Sequence, residues 1–177
     1  MESNWKASLA AVLKSEGGND DDPVDHGGRT SRGITQREYN AWCQEYGHAI
    51  IDVWDAPQDH IDTIYHDEYW MPWGDLIPVG TDYMFFDMCV NAGPNRAIIL
   101  GQRALGVTAD GRVGPLTRLA FKAGETHPIS LAHSYAAEKE AFYRALHQPR
   151  FIKGWLSRNK EVLTLGLTMI EKGASSV

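Results

Sequence analysis

Apolar residues recur at helical spacing almost from the start of the chain. Trp5, Leu9, Val12 and Leu13 form one stripe, with Lys6, Ser8 and Lys14 elsewhere, which predicts an amphipathic helix over 5–16. At about 100° per residue, Glu16 falls near the angular position of Trp5 and Leu9, so its carboxylate projects from the apolar face. Gly17 and Gly18 stop this helix. The stretch 19–33 is polar and acidic, is broken by Pro23, Gly27 and Gly28, and has no helical period, so it reads as a turn-rich loop or short hairpin. Thr35 and Glu38 then have the spacing of a capping box, and Tyr39, Trp42, Cys43 and Tyr46 follow at i, i+3, i+4 and i+7 before Gly47.

Asp55 and Pro57 start a third helix, expected to run to about residue 70 with Ile61, Ile64 and Tyr65 on one side. Residues 71–80 are a loop punctuated by Pro72, Gly74 and Pro78. The segment 81–92 is apolar nearly all round, the pattern of a central, buried helix. Gly93-Pro94 opens another helix to about residue 105, Asp110-Gly111 makes a turn, and Pro115 begins a shorter helix that Gly124 closes. Two longer helices are expected at roughly 128–147 and 155–172. No repeat or linker separates the pieces. The expectation is one mainly helical domain over 1–177 with a small β-rich insertion between its first two helices, comprising an N-terminal region of about 5–80 and a helical region of about 81–172.

The formal charge of −6 argues against nucleic acid, which requires a basic face. Six Trp and seven Tyr exceed what a minimal core needs, and aromatic faces suit sugar rings. Two cysteines, Cys43 and Cys89, are too few for a disulfide framework and read as free thiols of a reducing compartment. No apolar run has transmembrane length and no signal peptide is recognisable at the start.

Chemistry concentrates around Glu16. A general acid must keep its proton near neutral pH, and both an apolar face and a helix C-terminus disfavour the carboxylate anion. The following loop supplies Asp20, Asp21, Asp22 and Asp25, then the hydroxyls of Thr30, Ser31 and Thr35. Two carboxyls across a cleft, one protonated and one ionised, are what glycosidic hydrolysis requires, and Asp25 is the better-placed partner, with Gly27-Gly28 returning the chain. Calcium is disfavoured because Pro23 interrupts the acidic run and no EF-hand register exists. His60 and His66 are six apart and share no helical face as a zinc pair would. No metal or cofactor is expected. Ser157 and Lys160 match a Ser-x-x-Lys pattern by letters only.

Glu16-Gly17-Gly18, then the run from Asp22-Pro23 to Thr30, then Gly33-Ile34-Thr35 resemble the N-terminal signature of glycoside hydrolase family 108. Tyr69-Trp70, Phe86-Asp87, Val90-Asn91-Ala92-Gly93-Pro94, Gln102-Arg103-Ala104-Leu105-Gly106-Val107 and Asp110-Gly111-Arg112-Val113-Gly114-Pro115 resemble the predicted peptidoglycan-binding segment of such proteins. The resemblance implies a lysozyme-like α+β fold and an N-acetylmuramidase of the phage endolysin type, cutting the β-1,4 bond between N-acetylmuramic acid and N-acetylglucosamine, with Glu16 as proton donor. Phage-type lysozymes space a Glu, an Asp and a Thr as Glu16, Asp25 and Ser31 are spaced here. Ser replaces Thr, which leaves Thr30 and Ser31 as alternative hydroxyls.

Asn91 is then either a donor to a sugar amide or a helix cap, and Thr35, Gln102, Tyr69 and Trp73 are further groove candidates. Peptidoglycan glycan strands are the expected partner of a monomer. The resemblance further implies storage in the host cytoplasm until a holin-like membrane protein opens the way to the periplasm and cell wall. A non-catalytic wall-binding protein, a lytic transglycosylase and a peptidase are the rival readings.

Overall fold

The computed structural model describes residues 2–16, 18–20, 29–73 and 75–174. Helices dominate, and the one small sheet among the described residues lies where the irregular insertion was expected, so the protein is α+β and mainly helical. The chain groups into two compact units, one of Lys6–Glu68 and one of Met1–Trp5 with Tyr69–Val177.

In the Lys6–Glu68 unit, α1 (Glu2–Glu16) ends at Glu16, as its periodicity predicts. Leu9 and Val12 are buried. Strands β1 (Asn19–Asp20), β2 (Thr30–Ser31) and β3 (Ile34–Thr35) pair antiparallel in that order. Helix α2 (Gln36–Tyr46) has the expected limits, because Thr35 and Glu38 form a complete capping box and Gly47 closes the helix in the left-handed conformation. Its buried face carries Tyr39, Trp42 and Cys43. Tyr39 Oη lies 2.8 Å from His60 Nδ1 on α3 (Gln58–Tyr65), which joins the two helices.

The third helix departs from expectation. A short 3-10 turn, Val53–Asp55, precedes α3, and from His66 to Trp70 the chain widens into a π-helical turn instead of continuing the α-helix. The i, i+3, i+4 pattern that predicted one helix does not register such a widening.

The other unit is built around α4 (Thr81–Ala92), of which every residue from Thr81 to Cys89 is buried. Trp5, Trp70 and Phe86 form a cluster of tilted and edge-on rings, with centroids 5.5–5.6 Å apart. Around it stand α5 (Pro94–Ala104), α6 (Pro115–Gly124), α7 (Pro128–Ala145) and α8 (Ile152–Ala174). Prolines at the first turns of α5, α6 and α7 follow from the preset φ and missing N–H that suit a helix start. Cys43 and Cys89 are free and buried, and burial pushes the Cys89 thiol well above its ordinary pKa.

Asp87 lies within this apolar helix, 1% exposed. Lys139 Nζ on α7 donates to its Oδ2 at 2.7 Å, and Arg158 on α8 donates to its Oδ1 through Nε at 2.9 Å and Nη2 at 2.8 Å. Burial alone would push the Asp87 carboxyl up, but the Lys139 ammonium and the Arg158 guanidinium hold it below the usual carboxylate range.

Asp87→Asn leaves the fully buried Lys139 ammonium without its counter-ion, so it should cost about 3–5 kcal/mol at pH 7, read from urea midpoints. Because the folded pKa is depressed, the carboxylate's contribution is complete above the unfolded pKa and is lost as pH falls through the lower folded value. The gap between wild type and variant should therefore narrow in acid. A gap that stays constant there would assign the loss to packing.

Candidate active site

The site begins with a turn. Ser31 and Ile34 are cross-strand partners, so only Arg32 and Gly33 connect β2 to β3. Both have positive φ, 50° and 82°, the signature of a type I′ hairpin turn. Glycine adopts this conformation freely and arginine does not, so Arg32 must be held. Its N–H donates to Gly18 O at 3.2 Å, and its guanidinium donates to Gln58 Oε1 and Ala56 O, both at 2.8 Å. Tyr65, at the far end of α3, donates its hydroxyl to Arg32 O at 2.7 Å.

This clamp brings the turn against Glu16. A Cβ placed on Gly33 would stand 2.5 Å from Tyr65 Oη and 3.3 Å from Glu16 Oε2. Glu16 is half-buried, and its carboxylate, the Gly33 backbone and the Tyr65 hydroxyl therefore crowd one point at the end of α1.

A second chain of contacts sets the neighbouring surface. Gln36, the first residue of α2, donates from Nε2 to Ile51 O at 2.9 Å and accepts at Oε1 from Val53 N–H at 2.7 Å. Asp52 caps the following 3-10 turn by accepting from Trp54 N–H. Trp54, 37% exposed, donates its indole N–H to Thr30 O at 2.9 Å. The Arg29 guanidinium stacks 4.1 Å from the Trp54 ring and is ion-paired with Asp52. The result is a rigid aromatic and cationic shelf beside β2.

Strand register separates the two candidate hydroxyls. Ser31 pairs with Ile34, and both are buried; the Ser31 hydroxyl accepts from Arg32 Nε at 3.1 Å. Thr30 pairs with Thr35 on the opposite face and is half-buried. Thr35 is not available as a substrate ligand, because its hydroxyl accepts from Glu38 N–H and donates to Glu38 Oε2 to start α2. Asp25 lies outside the described residues.

Gln102, a groove candidate by sequence, lies in the interior. It is fully buried, with Nε2 within 2.9–3.1 Å of Asp110 Oδ1, Arg112 O and Thr117 Oγ1, while its Oε1 accepts from Gly111 N–H. It shapes its own loop and presents nothing to a sugar. Asn91 donates from Nδ2 to Asp87 O at 2.6 Å, four residues back within α4. Tyr69 and Trp73 are half-buried around a small gap with Ile77, Phe85 and Phe86. Glu16, Thr30 and Ser31 thus share the Lys6–Glu68 unit, whereas Asn91, Gln102, Tyr69 and Trp73 belong to the other. The sequence reading missed Tyr65, Asp52 and Trp54; Tyr65 sits on a core stripe and the other two in an unpatterned stretch.

Gly33→Ala combines a left-handed backbone with the 2.5 Å approach to Tyr65 Oη, and should destabilise by more than about 1 kcal/mol. Tyr65→Phe removes that oxygen, so the double variant should lose less than the sum of the singles in a thermodynamic cycle. Strict additivity would show that the hydroxyl does not set the space available at residue 33.

Residues 9–93 match the family described as Glycosyl hydrolase 108, and residues 96–160 match the Predicted Peptidoglycan domain. Among solved structures, SagA of Brucella abortus superposes with a TM-score of 0.80 at 28% identity, over 96% of this chain and 97% of that one. Among curated proteins nothing matches. These findings agree with a lysozyme-like fold, and they place Glu16, Gly33, Trp54 and Tyr65 within the glycosidase segment. Residues 9–93 are thus a segment of the glycosyl hydrolase 108 family, with a predicted peptidoglycan domain directly behind it.

Proposed function

We propose that this glycosidase is an N-acetylmuramidase that hydrolyses the β-1,4 bond between N-acetylmuramic acid and N-acetylglucosamine, with Glu16 as general acid. One observation carries the reading: the Glu16 carboxylate ends α1 against a glycine turn that Tyr65 and Arg32 lock in place. A proton donor must be held within hydrogen-bond reach of the bond it breaks, and this site spends backbone strain and a tyrosine hydroxyl on that placement.

Glu16 gives its proton to the glycosidic oxygen, and the N-acetylglucosamine fragment leaves as a free alcohol. Water adds at the anomeric carbon of the muramic acid. Asp25, ionised, stabilises the positive charge that develops there or orients the water. Thr30 is the assisting hydroxyl, supported by its half-buried place on the face of β2 opposite the buried Ser31. The Trp54 ring, backed by Arg29, offers a sugar a flat apolar face. Host lysis after a holin-like protein opens the membrane belongs to the same proposal; no helix among the described residues is long and apolar enough to cross a membrane.

Glu16→Gln should lower kcat on purified peptidoglycan by roughly 10²–10⁴-fold with an unchanged unfolding midpoint. Mass spectrometry of the wild-type digest should show reducing muramic ends. Anhydro-muramic ends would instead assign a lytic transglycosylase, and new amino termini a peptidase. Thr30→Val should lower kcat more than Ser31→Ala; the reverse order transfers the role to Ser31. Trp54→Ala should act mainly through KM, as loss of a binding platform does.

A further inference from the structure

In the predicted peptidoglycan domain, the loop 106–114 and the outer face of α6 enclose an open groove of about 770 Å³. Its floor is apolar, with Val107, Pro115, Leu116, Leu119 and Ala120 among the lining side chains. Leu116 is 77% exposed and Leu119 64%. Two large aliphatic side chains held in water on one helix face are costly unless something covers them.

The groove is preformed. Gln102 is a fully buried amide whose hydrogen bonds all go to Asp110, Gly111, Arg112 and Thr117, so an interior polar residue is devoted to the shape of a surface loop. Thr117 Oγ1 also donates to Arg112 O at 3.2 Å, which ties the loop to the first turn of α6. Such rigidity lowers the ordering cost of binding.

The rim carries one charge of each sign. Asp110 accepts from Arg112 N–H and from Gln102, and these bonds hold its carboxyl below the usual carboxylate range. The Arg112 guanidinium makes no side-chain hydrogen bond among the described residues, so its donors are open to a ligand. None of the lining residues is aromatic, so the groove offers no flat face on which a sugar ring could stack. A size of several hundred Å³, an apolar floor, one free guanidinium and one carboxylate fit a short peptide with small side chains, a free carboxylate and an ammonium group.

We infer that this groove binds the stem peptide of peptidoglycan, its carboxylate on Arg112 and its methyl-bearing residues over Leu116 and Leu119. This rests on the proposed peptidoglycan substrate, but it assigns the peptide and the glycan to different residues. It gives the hydrolase an anchor on the branches of the polymer whose backbone it cuts.

The test uses the full chain and the soluble tetrapeptide L-Ala-γ-D-Glu-diaminopimelyl-D-Ala, followed by titration calorimetry and by amide shifts. The peptide should bind the wild type, and Arg112→Ala and Leu116→Asp should each weaken binding by roughly tenfold or more with an unchanged unfolding midpoint. On peptide-bearing peptidoglycan the same variants should raise KM at constant kcat; on glycan stripped of its peptides by an amidase they should match the wild type. Absence of peptide binding, or binding indifferent to both substitutions, overturns the inference. So does a dimer that Leu116→Asp dissociates while peptide binding persists, since the groove would then be a self-association face. Cleavage of both substrates without peptide binding would sink the groove and leave the muramidase standing, whereas groove-dependent binding without cleavage of either would do the opposite.

Discussion

A carboxylate removed from water must find partners on the spot, and in the helical unit Asp87 finds two cations. Its partners come from α7 and α8, so the three helices cannot separate without stranding charge in an apolar interior. An all-apolar core would hold as firmly but would tolerate sliding, whereas a carboxylate with one ammonium and one guanidinium accepts a single register. Aromatic packing follows from it: Tyr143 on α7 stacks on Trp155 of α8, and Phe85 on α4 lies against Tyr135 of α7. The α5–α6 loop carries its own polar centre in Gln102, built of hydrogen bonds between neutral and charged groups.

The Lys6–Glu68 unit solves a different problem with different means. It has short strands and short helices, so its order comes from caps and clamps: Thr35 starts α2, Gln36 pins the 3-10 turn, and Tyr65 and Arg32 fix the hairpin. These are local, directional bonds, each modest in free energy. They converge on the end of α1, where the Glu16 carboxylate meets the Gly33 backbone and the Tyr65 hydroxyl. Strain at Arg32 is tolerated because five hydrogen bonds over-determine its position.

What could be read in the sequence was what local chemistry decides. The limits of α2 were legible because a capping box and a left-handed glycine act within one turn. The burial of α4 was legible because an all-round apolar helix has no other place to go. Asp87 was visible only as part of a motif, since its partners lie 52 and 71 residues away. Thr35 and Gln102 were misassigned for a common reason: a polar residue near a motif looks available for binding, whereas burial and capping can consume all its hydrogen bonds. Tyr65 had the opposite fate. Its ring belongs to the core stripe, and only its last atom reaches the site. The end of α1 at Glu16 was legible from the glycines that follow it, and the turn that faces it was not, because a two-residue hairpin connection depends on strand register.

The two cysteines bear on where such a protein can work. Both sulfurs are buried, each inside a helix, and neither can meet another thiol or an oxidant unless its surroundings unfold. Cys89 is further held in its protonated form, which is the unreactive one. The fold therefore needs no disulfide to persist and has no exposed thiol to be mispaired. The covalent structure is thus indifferent to whether the surroundings are reducing or oxidising.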